Sequence, residues 1–344
     1  MIQKKKVSIT DIALACGVSA MTVSRALRDS AKVRPETSAR ILAKAEELGY
    51  FKGSRLGRPE VRINTPHPSR IRMILGGAGS TVSIFHSRLV NTIQRNLIKH
   101  NCECVLYSHD ASYQSFLILL DALKQQDADA TVIIGDFPRP QLKTLLMTFP
   151  GAILLDNPGF DEFDATFSSF NFDNFSGITA MLKHLLDSGR KKIVLLNGSR
   201  EHFFSQAMDQ AYRRQLREYG IAVDERMILH ADFTAPDAAQ KLADFMQLQI
   251  PFDAVLSNDE MALGAYRTLL SHQITIPDQV ALAGCDNLPL GQMLYPALST
   301  VDLDYGLLAD AAIQFILRSE GEFTPCRKLF IPQLLLREST ANPR

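Results

Sequence analysis

The chain has 344 residues, enough for two or three domains, and its 37 Lys and Arg are matched by 37 Asp and Glu. That balance hides an asymmetry: residues 1–62 hold 13 Lys and Arg against 6 Asp and Glu, a net of +7, and the remainder holds 24 against 31, a net of −7. A polyanion partner is therefore expected for the first part only. No apolar run approaches membrane-spanning length and no apolar segment of signal-peptide length follows the lysines of residues 1–6, so a cytoplasmic protein with no membrane partner is expected.

Residues 8–28, SITDIALACGVSAMTVSRALR, predict two short helices joined at Gly17. Ser8 with Asp11 three residues on is a capping-box arrangement, and Ile9, Ile12, Ala13 and Cys16 fall on one face at helical spacing. Gly17 supplies the positive φ that a tight turn requires. Ser19 is a second N-cap, followed by Val23 and Leu27 as the buried side of the next helix. Ala20, Met21, Thr22, Ser24 and Arg25 are left on its outer face. Two capped helices about a glycine have helix-turn-helix geometry, in which the second helix reads base edges from its N-terminal residues; an ordinary helical hairpin is the plainer alternative.

The same stretch resembles the N-terminal signature of the lactose-repressor (LacI/GalR) family of bacterial transcription regulators, close to T-x-x-D-(I/V)-A-x-x-A-G-V-S-x-x-T-V-S-R-x-L. Asp11, Ile12, Ala13, Gly17, Val18, Ser19, Thr22, Val23, Ser24, Arg25 and Leu27 stand in register, with Ser8 for the opening threonine and Cys16 for the alanine before the glycine. On this reading Ala20, Met21 and Arg25 face bases, where arginine pairs with guanine and apolar side chains meet thymine methyls. Ser8, Thr10, Ser19, Thr22 and Ser24 hold phosphates, and Arg28, Lys32 and Arg34 complete the DNA-facing set.

Arg34-Pro35-Glu36-Thr37 opens a third helix, with proline at the first helical position and glutamate favoured by the helix dipole. Ile41, Ala45 and Leu48 form its buried stripe and Gly49 ends it. An all-α helix-turn-helix domain over residues 1–52 is expected. Residues 53–70 contain glycines and prolines without apolar periodicity and form a linker. In the family the corresponding segment folds into a hinge helix on DNA with a leucine wedged in the minor groove; here Leu56 is the apolar candidate, while Gly57 and Pro59 oppose a continuous helix. Three readings of Leu56-Gly57-Arg58-Pro59 stay open: a flexible tether, a short hinge helix around Leu56, or an extended Gly-Arg-Pro core, similar to AT-hook peptides, with Arg58 in a narrow minor groove.

From Ile71 apolar runs alternate with amphipathic segments. Strands are predicted at 71–77, 102–108, 131–136, 152–157, 192–198, 253–258 and 279–286, with helices at 87–99, 113–126, 174–188, 205–219, 236–247, 259–271 and 305–319. This alternation predicts doubly wound α/β layers, whose ligands sit beyond the strand C-termini. Residues 173–198, 257–269, 276–287 and 331–340 resemble the family's effector domain, a two-lobed relative of periplasmic sugar-binding proteins, expected over 71–340. Five cysteines, at 16, 102, 104, 285 and 326, are scattered through apolar runs as buried reduced thiols would be; Cys102 and Cys104 have no nearby His or Cys cluster, and no metal or cofactor is expected.

The glycines at 76, 77 and 79 lack the spacing and the lysine of a nucleotide loop, and Asp286, His202 and Ser205 form no recognisable nucleophile motif, so a binding protein is expected rather than an enzyme. In sugar- or purine-binding relatives an arginine clamps the ligand after the strand matched by KIVLLNG; the aligned residue here is Met208. His202 and Phe204 lie just upstream, and Phe85 and Phe233 match places where relatives stack an aromatic ring. Asp286 matches the carboxylate that accepts from ligand hydroxyls or amines, with Asp173 a weaker candidate. The resemblance thus implies a small effector between the lobes, sugar-like or a related metabolite with an apolar part; the competing possibility is that Met208 and Phe204 only pack the lobe. The expected whole is a homodimeric regulator, more a repressor than an activator, reading a palindromic operator. Control by a partner protein or by abundance, without an effector, is the alternative.

Overall fold

The computed structural model describes residues 9–28, 33–47, 70–77, 83–109, 112–159, 167–318 and 324–341. The chain divides into two compact units, Met1–Pro66 and His67–Arg344. The predicted linker straddles that division; Arg70 is already the first residue of a strand, and the rest of the segment, with Leu56 and Arg58, lies outside the described residues.

In the first unit, α1 (Ile9–Cys16), α2 (Ala20–Arg28) and α3 (Pro35–Glu47) enclose a small core of Ile12, Ala13, Cys16, Val23, Ala26, Ile41 and Ala45. Gly17 takes φ +63°, and the N–H groups of Gly17 and Val18 donate to the carbonyls of Leu14 and Ala13 at 3.3 and 3.1 Å. This is a Schellman stop, with Val18 turned onto the core as that motif prefers. Ser19 Oγ then accepts the N–H of Thr22 at 3.1 Å and starts α2. Ser8, Lys32, Leu48 and Gly49 lie outside the described residues, as do the side chains of Asp11, Ser24, Leu27 and Arg28.

The second unit contains two six-stranded sheets. One is built from β1 (Arg70–Leu75), β2 (Glu103–Ser108), β3 (Ala130–Ile134), β4 (Ala152–Leu155), β5 (Phe167–Phe172) and, from far along the chain, β11 (Arg327–Phe330). Its order is β11-β5-β4-β3-β1-β2, parallel throughout. The other contains β6 (Ile193–Asn197), β7 (Ile228–His230), β8 (Ala254–Leu256), β9 (Ala281–Cys285), β10 (Ser299–Asp302) and β12 (Gln333–Leu335), in the order β12-β10-β9-β8-β6-β7. Only β12 runs antiparallel to its neighbour. Each sheet repeats one winding, with a switch point where the order reverses, at β1/β3 and at β6/β8.

Connecting helices cover the sheets: α4 (Ile84–Lys99), α5 (Tyr113–Lys124) and α6 (Arg139–Thr148) for the first; α7 (Asn174–Asp187), α8 (Phe203–Glu218), α9 (Ala235–Gln247), α10 (Asp259–Ser271) and the short α11 (Pro289–Gln292) for the second. The chain passes between lobes after β5, returns after β10 to form α12 (Tyr305–Arg318) against α4 and β5, and passes again between β11 and β12. Among the described residues no helix is long and apolar enough to cross a membrane. Cys16, Cys102 and Cys285 are buried, Cys104 and Cys326 partly so, and all five are free thiols.

The seven predicted strands and seven predicted helices of the body appear near their expected places, but β5, β7, β10, β11, β12, α6 and α11 were not anticipated. β5, FSSFNF, has polar residues where a buried strand should be apolar, yet every residue is buried. Ser168 Oγ accepts the N–H of Cys326 at 3.0 Å, and Asn171 Oδ1 accepts that of Asn157 at 2.7 Å. Polar groups are tolerated inside once bonded.

Candidate functional site

The first unit presents one face of α2. Ala20, Met21 and Arg25 are exposed, Met21 at 62%, while Val23 on the opposite side is fully buried. Arg25 is exposed on a helix whose sequence holds no acidic residue, so the face that presents it is complementary to a polyanion. Ser19 and Thr22 are engaged with each other, their hydroxyl oxygens 2.9 Å apart, although each hydroxyl retains bonding capacity. Thr10 and Arg34 are exposed on α1 and at the start of α3.

In the second unit a cavity of about 480 Å³ lies at the carboxyl ends of both sheets. From the first sheet it receives Phe85 and His86 after β1, Asp136 after β3 and Asp156 after β4; from the second it receives His202 and Phe204 after β6, Phe233 after β7, Glu260 after β8 and Asp286 after β9. Parallel strands end together at one edge, which is why side chains so distant in sequence converge. Three lining residues other than glycine take positive φ: Asp156 at 52°, Phe233 at 67° and Asp286 at 114°. Such strain persists only where surrounding bonds fix it. Around Asp286 they do: its N–H donates to Val301 O at 2.9 Å, and its carbonyl accepts the Tyr305 hydroxyl at 3.1 Å.

One wall is aromatic. The His202 ring stacks on Phe203 at 4.6 Å and meets Phe233 edge-on at 4.8 Å, and Phe233 lies 6.3 Å from Phe204. His202 caps α8, its Nδ1 accepting the Phe204 N–H at 3.2 Å, which leaves the proton of the neutral ring on Nε2. Burial lowers the pKa of this imidazole, against the pull of Asp136 and Asp156.

The opposite chemistry is acidic. His86 Nε2 lies 3.2 Å from Asp156 Oδ2, and Ser83 Oγ lies 2.9 Å from His86 Nδ1. Burial raises the Asp136 carboxyl above its ordinary range, and raises Asp286 well above it, where the charges of Asp259 and Asp156 act in the same direction. Burial also raises Glu260, whose Oε2 accepts the N–H of Ile84 from the other lobe at 3.4 Å. Among the described residues no three His, Cys, Asp or Glu side chains are grouped to hold a metal ion.

Of the seven residues expected around an effector, Phe85, His202, Phe204, Phe233 and Asp286 line this cavity. Asp173 and Met208 do not. Both oxygens of Asp173 are used within its own turn as the N-cap of α7, accepting the N–H and the hydroxyl of Ser176 at 3.0 and 2.6 Å. Met208 shares the buried face of α8 with Ala211 and Tyr212 and is fully enclosed by the sheet core, so packing accounts for it. The sequence reading missed His86, Asp136, Asp156, Asn174 and Glu260. Asp136 and Asp156 could have been found, because each stands just beyond the end of a predicted strand, where such sheets bind ligands.

Two family descriptions match the chain: "Bacterial regulatory proteins, lacI family" over residues 8–52 and "Periplasmic binding protein-like domain" over residues 182–340. The ribose operon repressor of Escherichia coli (strain K12) is 22% identical, with 90% of this chain and 92% of that protein covered. Among solved structures, the transcriptional regulator CelR–cellobiose complex superposes with a TM-score of 0.70 at 22% identity, covering 97% of this chain and 99% of that one. The lac repressor dimer bound to operator and the anti-inducer ONPF superposes with a TM-score of 0.69 at 20% identity, covering 98% and 99%.

Proposed function

We propose that this chain, which belongs to the LacI family of bacterial regulatory proteins, is a cytoplasmic repressor that binds a palindromic operator as a homodimer and is controlled by a small molecule in the cavity between its two sheets. The observation that carries this reading is the combination in one chain of an exposed, capped and acid-free α2 with a cavity lined from both sheets. One recognition helix covers too few base pairs for a specific site, so a two-fold pair reading two half-sites is the economical arrangement.

Ala20, Met21 and Arg25 read base edges in this proposal. Ser8, Thr10, Ser19, Thr22, Ser24, Arg28, Lys32 and Arg34 anchor phosphates, and Leu56 and Arg58 act in the connecting segment. Phe85, His202, Phe204, Phe233 and Asp286 contact the effector, which is bound and released unchanged. Lobe closure about the three crossings then shifts the dimer between operator-competent and incompetent populations, provided the ligand favours one of them.

Selection of bound sequences from a random DNA pool tests the first half: a two-fold symmetric consensus is expected, and recovery of no symmetric site overturns the dimeric operator reading. Thermal-shift screening against sugars, nucleosides and aromatic metabolites tests the second, because saturating ligand must stabilise the second unit. Absence of any shift favours control by a partner protein or by abundance.

A further inference from the structure

Resting on the reading of the cavity as an effector site, we propose that the effector is an organic cation: a protonated amine on a ring-bearing body, its charge held between Asp156 and Asp286 and its ring against the aromatic wall. The polar lining is dominated by acceptors. Asp136 and Asp156 come from the first sheet, and Asp286, Glu260 and Asp232 from the second. Among the described lining residues none is Lys or Arg.

Two guanidinium groups in the surrounding structure are committed elsewhere. Arg88 donates to Asn287 O at 2.5 Å and lies over the Tyr305 ring at 4.4 Å. Arg337 donates to Leu298 O at 2.5 Å and to Asn287 Oδ1 at 2.8 Å. Of the two imidazoles, His86 is held by Asp156 and Ser83, and burial favours the neutral form of His202. Carboxyl groups from two lobes thus face one space to which the described lining brings no Lys or Arg, and burial disfavours their charge until a positive partner arrives. A ligand that brings a positive charge favours the ionised carboxylates and draws the lobes together.

A second observation is independent of the carboxylates. Asn174, at the start of α7, is 8% exposed and lines the same cavity, and its Oδ1 has no hydrogen-bond partner in the protein. A buried acceptor without a partner calls for a donor. An ammonium group offers three donors and no acceptor, whereas a hydroxyl brings lone pairs into a site already rich in them. The aromatic rings of Phe85 and Phe233, which line the same cavity, suit a ligand with an apolar ring.

The test uses the full chain and matched probes that differ in charge: phenethylamine against 2-phenylethanol, tyramine against 4-(2-hydroxyethyl)phenol, and glucosamine against glucose, each followed by thermal shift and calorimetric titration. At least one amine is expected to bind about tenfold or more tightly than its hydroxyl partner, as a charge-assisted hydrogen bond allows. That preference should be lost in Asp286→Asn and in Asp156→Asn, with circular dichroism verifying that each variant is folded. The ligand pairs compare probes on the unaltered protein, so the charge test stands even if a variant fails to fold. Binding in which no amine of the three pairs exceeds its hydroxyl partner, or a neutral sugar or nucleoside that binds while every amine fails, overturns the cationic effector and leaves the cavity an effector site. No binding by any probe, sugar or nucleoside overturns both readings.

Discussion

The Phe233 ring occupies the place that a side chain on Gly198 would need: a Cβ built there would lie 2.0 Å from the nearest ring carbon. The strand end of β6 is therefore shaped to seat the aromatic wall, and Phe233 is held at φ 67° to meet it. Gly198→Ala should push the ring out of position at a stability cost of roughly 1–3 kcal/mol, typical of overpacking. A lower unfolding midpoint together with weaker binding of any cavity ligand is expected. Unchanged ligand affinity would show that the ring's position does not matter to binding.

Asp259 is 1% exposed, yet it accepts the Thr300 hydroxyl at 2.7 Å and the Leu288 N–H at 2.6 Å. Burial still pushes its carboxyl up to about 7. An unfolded aspartate titrates near 3.9, so between about pH 4 and 7 the folded state binds more protons than the unfolded state, and this residue's contribution makes stability fall as pH rises. The full contribution is on the order of 4 kcal/mol by the same conversion. Urea unfolding at several pH values should show this fall in the native protein and a flatter profile in Asp259→Asn; parallel profiles would refute it.

Arg190, 6% exposed, ties together the amino-terminal ends of β6, β8 and β9 in the second sheet. Its guanidinium donates to the carbonyls of Asp253 and Gln279, each at 3.2 Å, and of Pro277 at 2.6 Å. Arg190→Ala leaves those acceptors without their cationic donor and should cost roughly 3 kcal/mol, read from denaturant unfolding. A loss under about 0.5 kcal/mol, the range of ordinary surface substitutions, would mean that water replaces the bonds.

Arg25 is exposed on α2, and Ser19 caps that helix. Arg25→Ala should weaken operator binding by roughly 1–3 kcal/mol and relax one base position in each half-site, whereas Ser19→Ala should lower the stability of the first unit by about 1 kcal/mol. Binding measured across single-base operator variants separates the two effects. Equal weakening of all sequences by Arg25→Ala would make it a phosphate contact.

The sequence alone determined the helix-turn-helix, because every signal for it is local. The stop at Gly17, the cap at Ser19 and the apolar positions at helical spacing act within a few residues of one another. It also determined that the apolar runs of β1, β3, β4, β6, β8 and β9 become interior strands, since continuous burial leaves a continuous apolar record. Tertiary structure decided the rest. β5 is paired by β11 from far along the chain, with Ser168 accepting the Cys326 N–H across 158 positions, and the hydroxyls of Ser299 and Thr340 meet at 2.7 Å across 41 at the end of the second sheet. Such partners leave no periodicity to read. The same holds for the cavity: His86 and Asp156 are 70 residues apart and meet because parallel strands end at one edge. Asp173 and Met208 were misplaced because a motif match fixes a position along a helix but not its surroundings. A nearby serine satisfied the aspartate, and the sheet enclosed the methionine.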